Sequence, residues 1–312
     1  MREKRILVFG SSGTAGRAVV QELLNQNYLV RTFGRSKLPD WGQEQIVGNL
    51  SEMEHDLFVD VSTIISCLAS RNGDPSDAWE IDYKANSEIL KLASTRAVSK
   101  FILLSAICVQ KPKLAFQQAK LSFEDELSGS GVDYSIIRPT AFYKSLSGQV
   151  ERVRGGKPFL VFGDGRKTSC LPISDADLAR FMVTAIHDPN MNNRILPVGG
   201  PGEPISPIDQ AVEIADLLGV DPKIRRVPMW FFNGIVGGLG FISKVFPRLR
   251  QKAELAKIGQ YYGTESMLVW DAERGVYSAD QTPQFGNDTL FEHYKTLIEQ
   301  GKTDELGAHK VF

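Results

Sequence analysis

The sequence predicts an α/β fold, a parallel sheet wound with helices on both faces, followed by a smaller C-terminal lobe. Two observations carry this. The chain opens with a strand-like run, Arg5-Ile6-Leu7-Val8-Phe9, which breaks into Gly10-Ser11-Ser12-Gly13-Thr14-Ala15-Gly16 and passes at once into an amphipathic helical pattern. Strand-length apolar runs then alternate with helical patterns through the first half, as in βαβ units whose sheet is covered on both faces.

Strands are expected at Arg5–Phe9, Leu29–Phe33, Ile46–Val47, Thr63–Cys67, Phe101–Leu104 and Tyr134–Ile137. Helices are expected between them at Arg17–Asn25, Ala78–Thr95 and Gln117–Ser128, and Gly129-Ser130-Gly131 breaks the chain before the sixth strand. Right-handed crossovers turn this order into a doubly wound sheet of Rossmann type. Beyond about residue 150 the pattern changes. Gly155-Gly156-Lys157-Pro158 and Phe162-Gly163-Asp164-Gly165 are turns around a short strand, Phe159–Val161. Ser174 and Asp177 cap a helix over Leu178–Ile186, and further helices are expected at Pro207–Leu218 and Gly234–Val245. Residues 1–157 therefore read as the sheet domain and 158–312 as a smaller substrate-binding lobe. The two interleave, because 194–199 reads as one more strand of the sheet.

The bulk numbers exclude several classes. With 312 residues and 42% hydrophobic content the chain can bury a large core with an attached lobe. A net charge of −1 gives no electrostatic case for nucleic acid. Cys67, Cys108 and Cys170 are far apart, as are His55, His187, His293 and His309, so no metal or cluster spacing is present. The first strand begins too early for a secretory signal. One stretch, Met229–Phe246, is long and apolar, but it contains Asn233, Lys244 and four glycines, whereas a bilayer span takes about 20 mostly apolar residues. It reads as a pocket-covering helix, with peripheral membrane contact as the other reading.

Strand, glycine turn and helix N-terminus in that order form a dinucleotide-binding fingerprint. Gly10 permits the tight turn, Gly13 lets the backbone approach a pyrophosphate, and Gly16 lets the helix lie close to the strand. The helix N-terminus, with Ser11, Ser12, Thr14 and Ala15 around it, favours the phosphates. The end of the second strand carries no acid that would bind a ribose 2′-hydroxyl. It carries Arg31, Arg35 and Lys37, and a 2′-phosphate fits Arg35 supported by Ser36. NADPH is therefore expected over NADH. Ligands of such sheets lie outside the carboxyl ends of the strands. This adds Asn49 and Leu50, then Cys67, Leu68 and Ala69, then Pro139, Thr140 and Phe142 as cofactor contacts.

At Ser105 and in Phe116-Gln117-Gln118-Ala119-Lys120 the chain resembles the short-chain dehydrogenase/reductase superfamily in its extended or atypical branch. Usual members place a Ser after the fifth strand and Tyr-x-x-x-Lys on the next helix. Ser105 and Lys120 match, while Phe116 stands where the Tyr would be and has no proton to give. The NmrA-like and isoflavone-reductase-like proteins share that loss. Longer segments are more specific: Ser66–Arg71, Trp79–Asn86, Leu104–Pro112, Arg138–Leu146, Leu196–Gly202, Lys257–Tyr262 and Glu265–Leu268. Over nearly the whole chain these resemble the NADPH-dependent divinyl chlorophyllide 8-vinyl reductases of chlorophyll and bacteriochlorophyll synthesis.

The resemblance implies reduction of the 8-vinyl group of a divinyl (proto)chlorophyllide to ethyl. The magnesium would arrive within the tetrapyrrole substrate, with no protein metal site. It implies work in the cytoplasm or chloroplast stroma, near the photosynthetic membrane surface. Lys120, Ser105 and Tyr143 are the catalytic candidates, with Lys120 also holding the cofactor ribose. Lys120, Tyr143, Lys144, Tyr83 or water would give the proton. Phe116, Tyr143, Lys144 and Trp230 are candidate substrate contacts, with Met229, Phe231 and Phe232 as further pocket or lid candidates. Two other classes stay open: a small-molecule NADPH reductase of the isoflavone-reductase or quinone kind, and an NmrA-like NADP sensor without catalysis.

Overall fold

A computed structural model describes residues 5–70, 74–96, 98–230, 234, 236–237 and 250–301. Seven strands form one parallel sheet: β1 (Arg5–Phe9), β2 (Val30–Gly34), β3 (Glu44–Val47), β4 (Val61–Ser66), β5 (Lys100–Leu104), β6 (Asp133–Pro139) and β8 (Arg194–Val198). Their order is β3-β2-β1-β4-β5-β6-β8. The order reverses between β1 and β4, which is where such sheets open a crevice at their carboxyl ends. β1, β4 and β5 are almost wholly buried, as strands covered on both faces must be, with Ile, Leu, Val and Phe at their centres.

The helices fall into two sets. α1 (Thr14–Asn25) packs with α7 (Asp175–Thr184), while α3 (Asn86–Ser94) packs with α4 (Ala115–Ser128). The single helix expected over Ala78–Thr95 is three pieces: α2 (Pro75–Ala78), a π-helical segment Trp79–Ala85, and α3. A π-segment is rare and marks places where packing or a site demands an extra residue per turn. The core of this part contains Leu7, Phe9, Phe33, Phe58, Ile64, Ile89, Phe101, Phe123 and Ile136.

Contacts divide the chain into two compact units. The first comprises the residues up to Ser70, Ser76–Pro139 and Asp175–Pro197; the second holds Thr140–Ser174 and the chain from Val198 on. The change of unit falls directly after β6 rather than at Lys157, and α7 returns to the first unit because its apolar face, with Leu178, Ala179, Met182 and Val183 buried, packs with α1. Ser174, expected as the cap of that helix, donates its hydroxyl to Asp288 Oδ2 at 2.5 Å.

The second unit contains α5 (Tyr143–Leu146), α6 (Val150–Arg154), β7 (Phe159–Phe162), α8 (Pro207–Leu218), β9 (Ile224–Val227), α9 (Arg250–Thr264), β10 (Val269–Asp271), β11 (Val276–Ser278) and α10 (Leu290–Glu299). β7 pairs parallel with β9, and β10 with β11 as a hairpin. Tyr143, Val150, Phe159, Val161, Ile208, Ile214, Leu290 and Tyr294 form its core. α8 has the strongest local signals: Ser206 and Asp209 form a capping box, Pro207 opens the first turn, and Gly219 closes the helix in the left-handed region. The expected helix over 234–245 lies mostly outside the described residues, as do Phe231 and Phe232.

Arg31, one of the cations at the end of the second strand, is buried and serves the fold. Its Nε donates to Glu44 Oε2 at 2.9 Å, and its Nη1 to the carbonyls of Leu57 (2.8 Å) and Val59 (3.0 Å). Arg31→Met strands those acceptors and should lower the unfolding free energy by about 2–4 kcal/mol. The expected readout is a lower urea midpoint with an unchanged slope; an unmoved midpoint would show that the guanidinium contributes nothing to stability.

Candidate active site

The carboxyl ends of β1 and β4 meet at the glycine turn. Gly10 has φ +71, and a Cβ there would stand 2.5 Å from the carbonyl oxygen of Cys67. A Cβ on Gly16 would stand 2.2 Å from the carbonyl oxygen of Gly10. At Gly13 the space is open except for Gly10 O at 3.4 Å. Gly13 is also the N-cap of α1, which has no side-chain cap and no acid in its first turn. A helix N-terminus of this kind presents main-chain N–H groups and the positive dipole end, which suit an anion. This fits a dinucleotide pyrophosphate.

Beyond β2, Arg35, Ser36 and Lys37 are exposed, and Arg35 and Ser36 make no hydrogen bond or ion pair among the described residues. An unengaged guanidinium beside a hydroxyl suits a phosphate. Asn49 caps the turn Leu50–Glu52 through Glu52, and Phe33 lies under Gly48.

Two polar clusters occupy the ends of β4, β5 and β6. In the first, Lys120 Nζ stands 2.9 Å from Asp82 Oδ1, with both side chains buried. Asp82 lies on the π-segment, and its Oδ2 accepts the Ser70 N–H at 3.3 Å. Asn86, just past that segment, donates to the carbonyls of Ile81 (3.3 Å) and Asp82 (3.1 Å) and accepts the Ser66 hydroxyl at 2.6 Å. The π-turn is thereby tied to the end of β4. In the second, Glu124 is 2% exposed, receives the Ser105 hydroxyl, and is held by Arg138 through Nε and Nη2. The Ser105 proton is thus committed to a carboxylate.

Gln117, Lys120 and Glu124 make a polar stripe at helical spacing on the buried side of α4, with Phe116 half-buried beside it. The sequence reading placed Ser105 and Lys120 but not Asp82, Asn86, Glu124 or Arg138. That stripe was the available signal, since polar residues at core positions are functional or wrong.

In the second unit Tyr143 is buried, and its hydroxyl donates to the Asp288 carbonyl. Its proton is engaged, which makes it an anchor of that unit. Lys144 follows on α5, half-buried, and Trp230 is 75% exposed. Thr140 donates its hydroxyl to the Leu171 carbonyl, and Phe142 bridges to Ile173. Among the described residues no group of three metal-ligand side chains lies together, and no helix is long and apolar enough to cross a membrane.

A parallel sheet in this order, with a glycine turn against its switch point and a Ser and Lys at the ends of β5 and on α4, defines an NAD(P)H-binding oxidoreductase of the short-chain dehydrogenase type. A family profile described as NAD(P)H-binding matches residues 10–189. Solved structures agree on the fold: a UDP-glucuronic acid 4-epimerase from Bacillus cereus, in complex with UDP-glucuronic acid and NAD, superposes with a TM-score of 0.69 at 17% identity, over 95% of this chain and 99% of that one. The sequence relatives are narrower. The divinyl chlorophyllide a 8-vinyl-reductase of Cucumis sativus, chloroplastic, is 43% identical over 100% of this chain and 80% of that protein. Its Arabidopsis thaliana counterpart is 40% identical over 98% and 80%. A photosystem II assembly factor, Ycf39, from Cyanophora paradoxa is 30% identical over 73% of each. The chain belongs to the divinyl chlorophyllide a 8-vinyl-reductase family.

Burial pushes the Cys67 thiol up to about 12, against a smaller opposing pull from the Lys120 charge, and burial alone takes Cys170 to about 12. At pH 8 such thiols are ionised to roughly one part in 10⁴. Both should resist iodoacetamide at pH 8 in the native protein and react after unfolding, as mapped by mass spectrometry. Between pH 9 and 12 the unfolded chain releases protons that the folded chain keeps, so stability should fall as pH rises through that window. Fast native labelling of Cys67 would contradict this.

Proposed function

We propose that the chain reduces the 8-vinyl group of a divinyl chlorophyllide, a magnesium tetrapyrrole, to ethyl with NADPH. The observation that carries this is identity of 40–43% to 8-vinyl reductases along essentially the whole chain, with Phe116 where carbonyl-reducing relatives would need a proton donor. NADPH, when bound, supplies the hydride. A vinyl group conjugated to the macrocycle can accept it, because the ring spreads the negative charge, and a proton then completes the ethyl group.

The chain's own task is to bind, orient and exclude water. In this reading the Gly10–Gly16 turn and the start of α1 hold the pyrophosphate, with Arg35 and Ser36 on the 2′-phosphate. Asn49, Leu50, Leu68, Ala69 and Pro139 complete the cofactor contacts of the first unit. Lys120 holds the ribose and keeps a proton at Nζ. Ser105, its hydroxyl donating to Glu124, fixes the local arrangement rather than acting as an acid. Phe116 offers an apolar wall to a flat ring.

The named relatives are chloroplastic, and this chain is assigned to the plastid stroma or the cytoplasm of a photosynthetic cell, at the membrane surface. Between Asp221 and Glu254 the sequence has no acid but carries Lys223, Arg225, Arg226, Lys244, Arg248, Arg250 and Lys252 among aromatic residues. Such a composition favours anionic lipid surfaces.

Mixed with NADPH and divinyl chlorophyllide, the protein should shift the Soret band to the blue and yield the monovinyl pigment on chromatography. Intact NADPH binding without conversion would refute the reductase reading. Arg35→Asp should weaken NADPH binding by about 10- to 100-fold and narrow the preference over NADH; an unchanged preference would remove Arg35 from the 2′-phosphate.

A further inference from the structure

The Asp82–Lys120 pair contains unmet hydrogen-bonding capacity of both signs. Asp82 is 2% exposed, yet its Oδ1 accepts no hydrogen bond, although Lys120 Nζ lies 2.9 Å away. The contact is an ion pair outside hydrogen-bond geometry. The ammonium has three N–H groups, and none makes a hydrogen bond among the described residues. Burying a carboxylate oxygen and an ammonium in this condition is unfavourable unless another group completes them.

The placement of Asp82 is not incidental. Its backbone carbonyl and that of Ile81 receive the Asn86 amide, and Asn86 is fixed by Ser66 at the end of β4. The other carboxylate oxygen is held by the Ser70 N–H. The π-turn packs against α4, the helix that carries Lys120. One turn earlier on α4, Gln117 is fully buried with its Nε2 also lacking an acceptor. A free acceptor beside free donors is the complement of a hydroxyl group, which accepts from the ammonium and donates to the carboxylate. A phosphate or carboxylate ligand would be repelled by Asp82.

We propose that Asp82 and Lys120 together clamp a hydroxyl of the nicotinamide ribose, with Asp82 as the acceptor and as the residue that positions the Lys120 ammonium. This rests on the reading that Lys120 holds the cofactor ribose. Lys120 alone would hold a sugar through one charge. With Asp82 the pair distinguishes a hydroxyl, which can donate, from an ether or carbonyl oxygen, which cannot.

The test compares two probes by isothermal titration calorimetry on the whole protein: NADPH, and adenosine 2′,5′-bisphosphate, which has the phosphates and adenine but no nicotinamide ribose. Asp82→Asn and Lys120→Met should each weaken NADPH about tenfold, as for loss of one charge-assisted hydrogen bond, and leave the bisphosphate unchanged. The double variant should bind NADPH no more weakly than the weaker single variant, because the two act as one unit. Equal weakening of both probes by Asp82→Asn, strictly additive losses, or wild-type NADPH affinity in Asp82→Asn would overturn the clamp. Wild-type NADPH affinity in Lys120→Met would instead overturn the reading of Lys120, and the clamp with it. Should Asp82→Asn not fold, Asp82→Glu keeps the charge and displaces the oxygen. It should show the same selective loss, and wild-type binding of both probes would count against the clamp.

Discussion

The first unit depends on a close approach of backbone to backbone. β1 must turn against β4 at Gly10, and α1 must lie back on that turn at Gly16, with no room for a Cβ at either point. Any side chain there would push strand or helix away, since a Cβ would stand 2.5 Å and 2.2 Å from main-chain oxygens that have no rotamer to yield. That single contact sets the direction of α1 and brings its N-terminus, which begins at Gly13 without a side-chain cap, to the switch point between β1 and β4. A helix N-terminus placed there suits an anion without any charged side chain in the turn.

Around this rigid corner the buried polar groups act as spacers. Ser66–Asn86 ties the π-turn to β4, Asp82 faces Lys120, and Arg138 and Ser105 converge on Glu124. Buried ion pairs of this kind contribute little net stability, because desolvation offsets the attraction. What they contribute is position: removing one partner leaves a charge that has no other arrangement available. The two clusters share α4, so its register fixes both at once, and a half-turn slip would bury neither.

The sheet was legible because its strands are short, centred on apolar residues and separated by turn residues. β1 and β8 fall where the sequence reading put them, and the rest within a few residues. What escaped depends on contacts distant in sequence. The π-turn at Trp79–Ala85 was read as plain helix, since the bonds that hold it come from Ser66 and from packing on α4. β9 and the three-residue strands of the β10–β11 hairpin are too short for periodicity to register. Asp82 and Glu124 look like surface acids until Lys120 and Arg138 are found opposite them. Tyr143 read as a candidate proton donor because it follows the sixth strand, yet its hydroxyl is taken by a carbonyl 145 residues further on.

The same network bears on the chemistry. A carbonyl reductase needs a neutral hydroxyl donor facing an oxygen that gains charge. At the corresponding places this chain has a phenylalanine and a serine whose proton points into Glu124. Arg138 keeps that carboxylate paired, so the serine is held as an acceptor toward anything outside the cluster. Removing hydroxyl donors is a handicap for reducing a C=O bond and an advantage for a C=C bond, where the charge spreads over a large ring and no oxygen asks for a proton. The loss of the tyrosine and the engagement of the serine therefore act in one direction: neither leaves a free hydroxyl donor for a carbonyl oxygen.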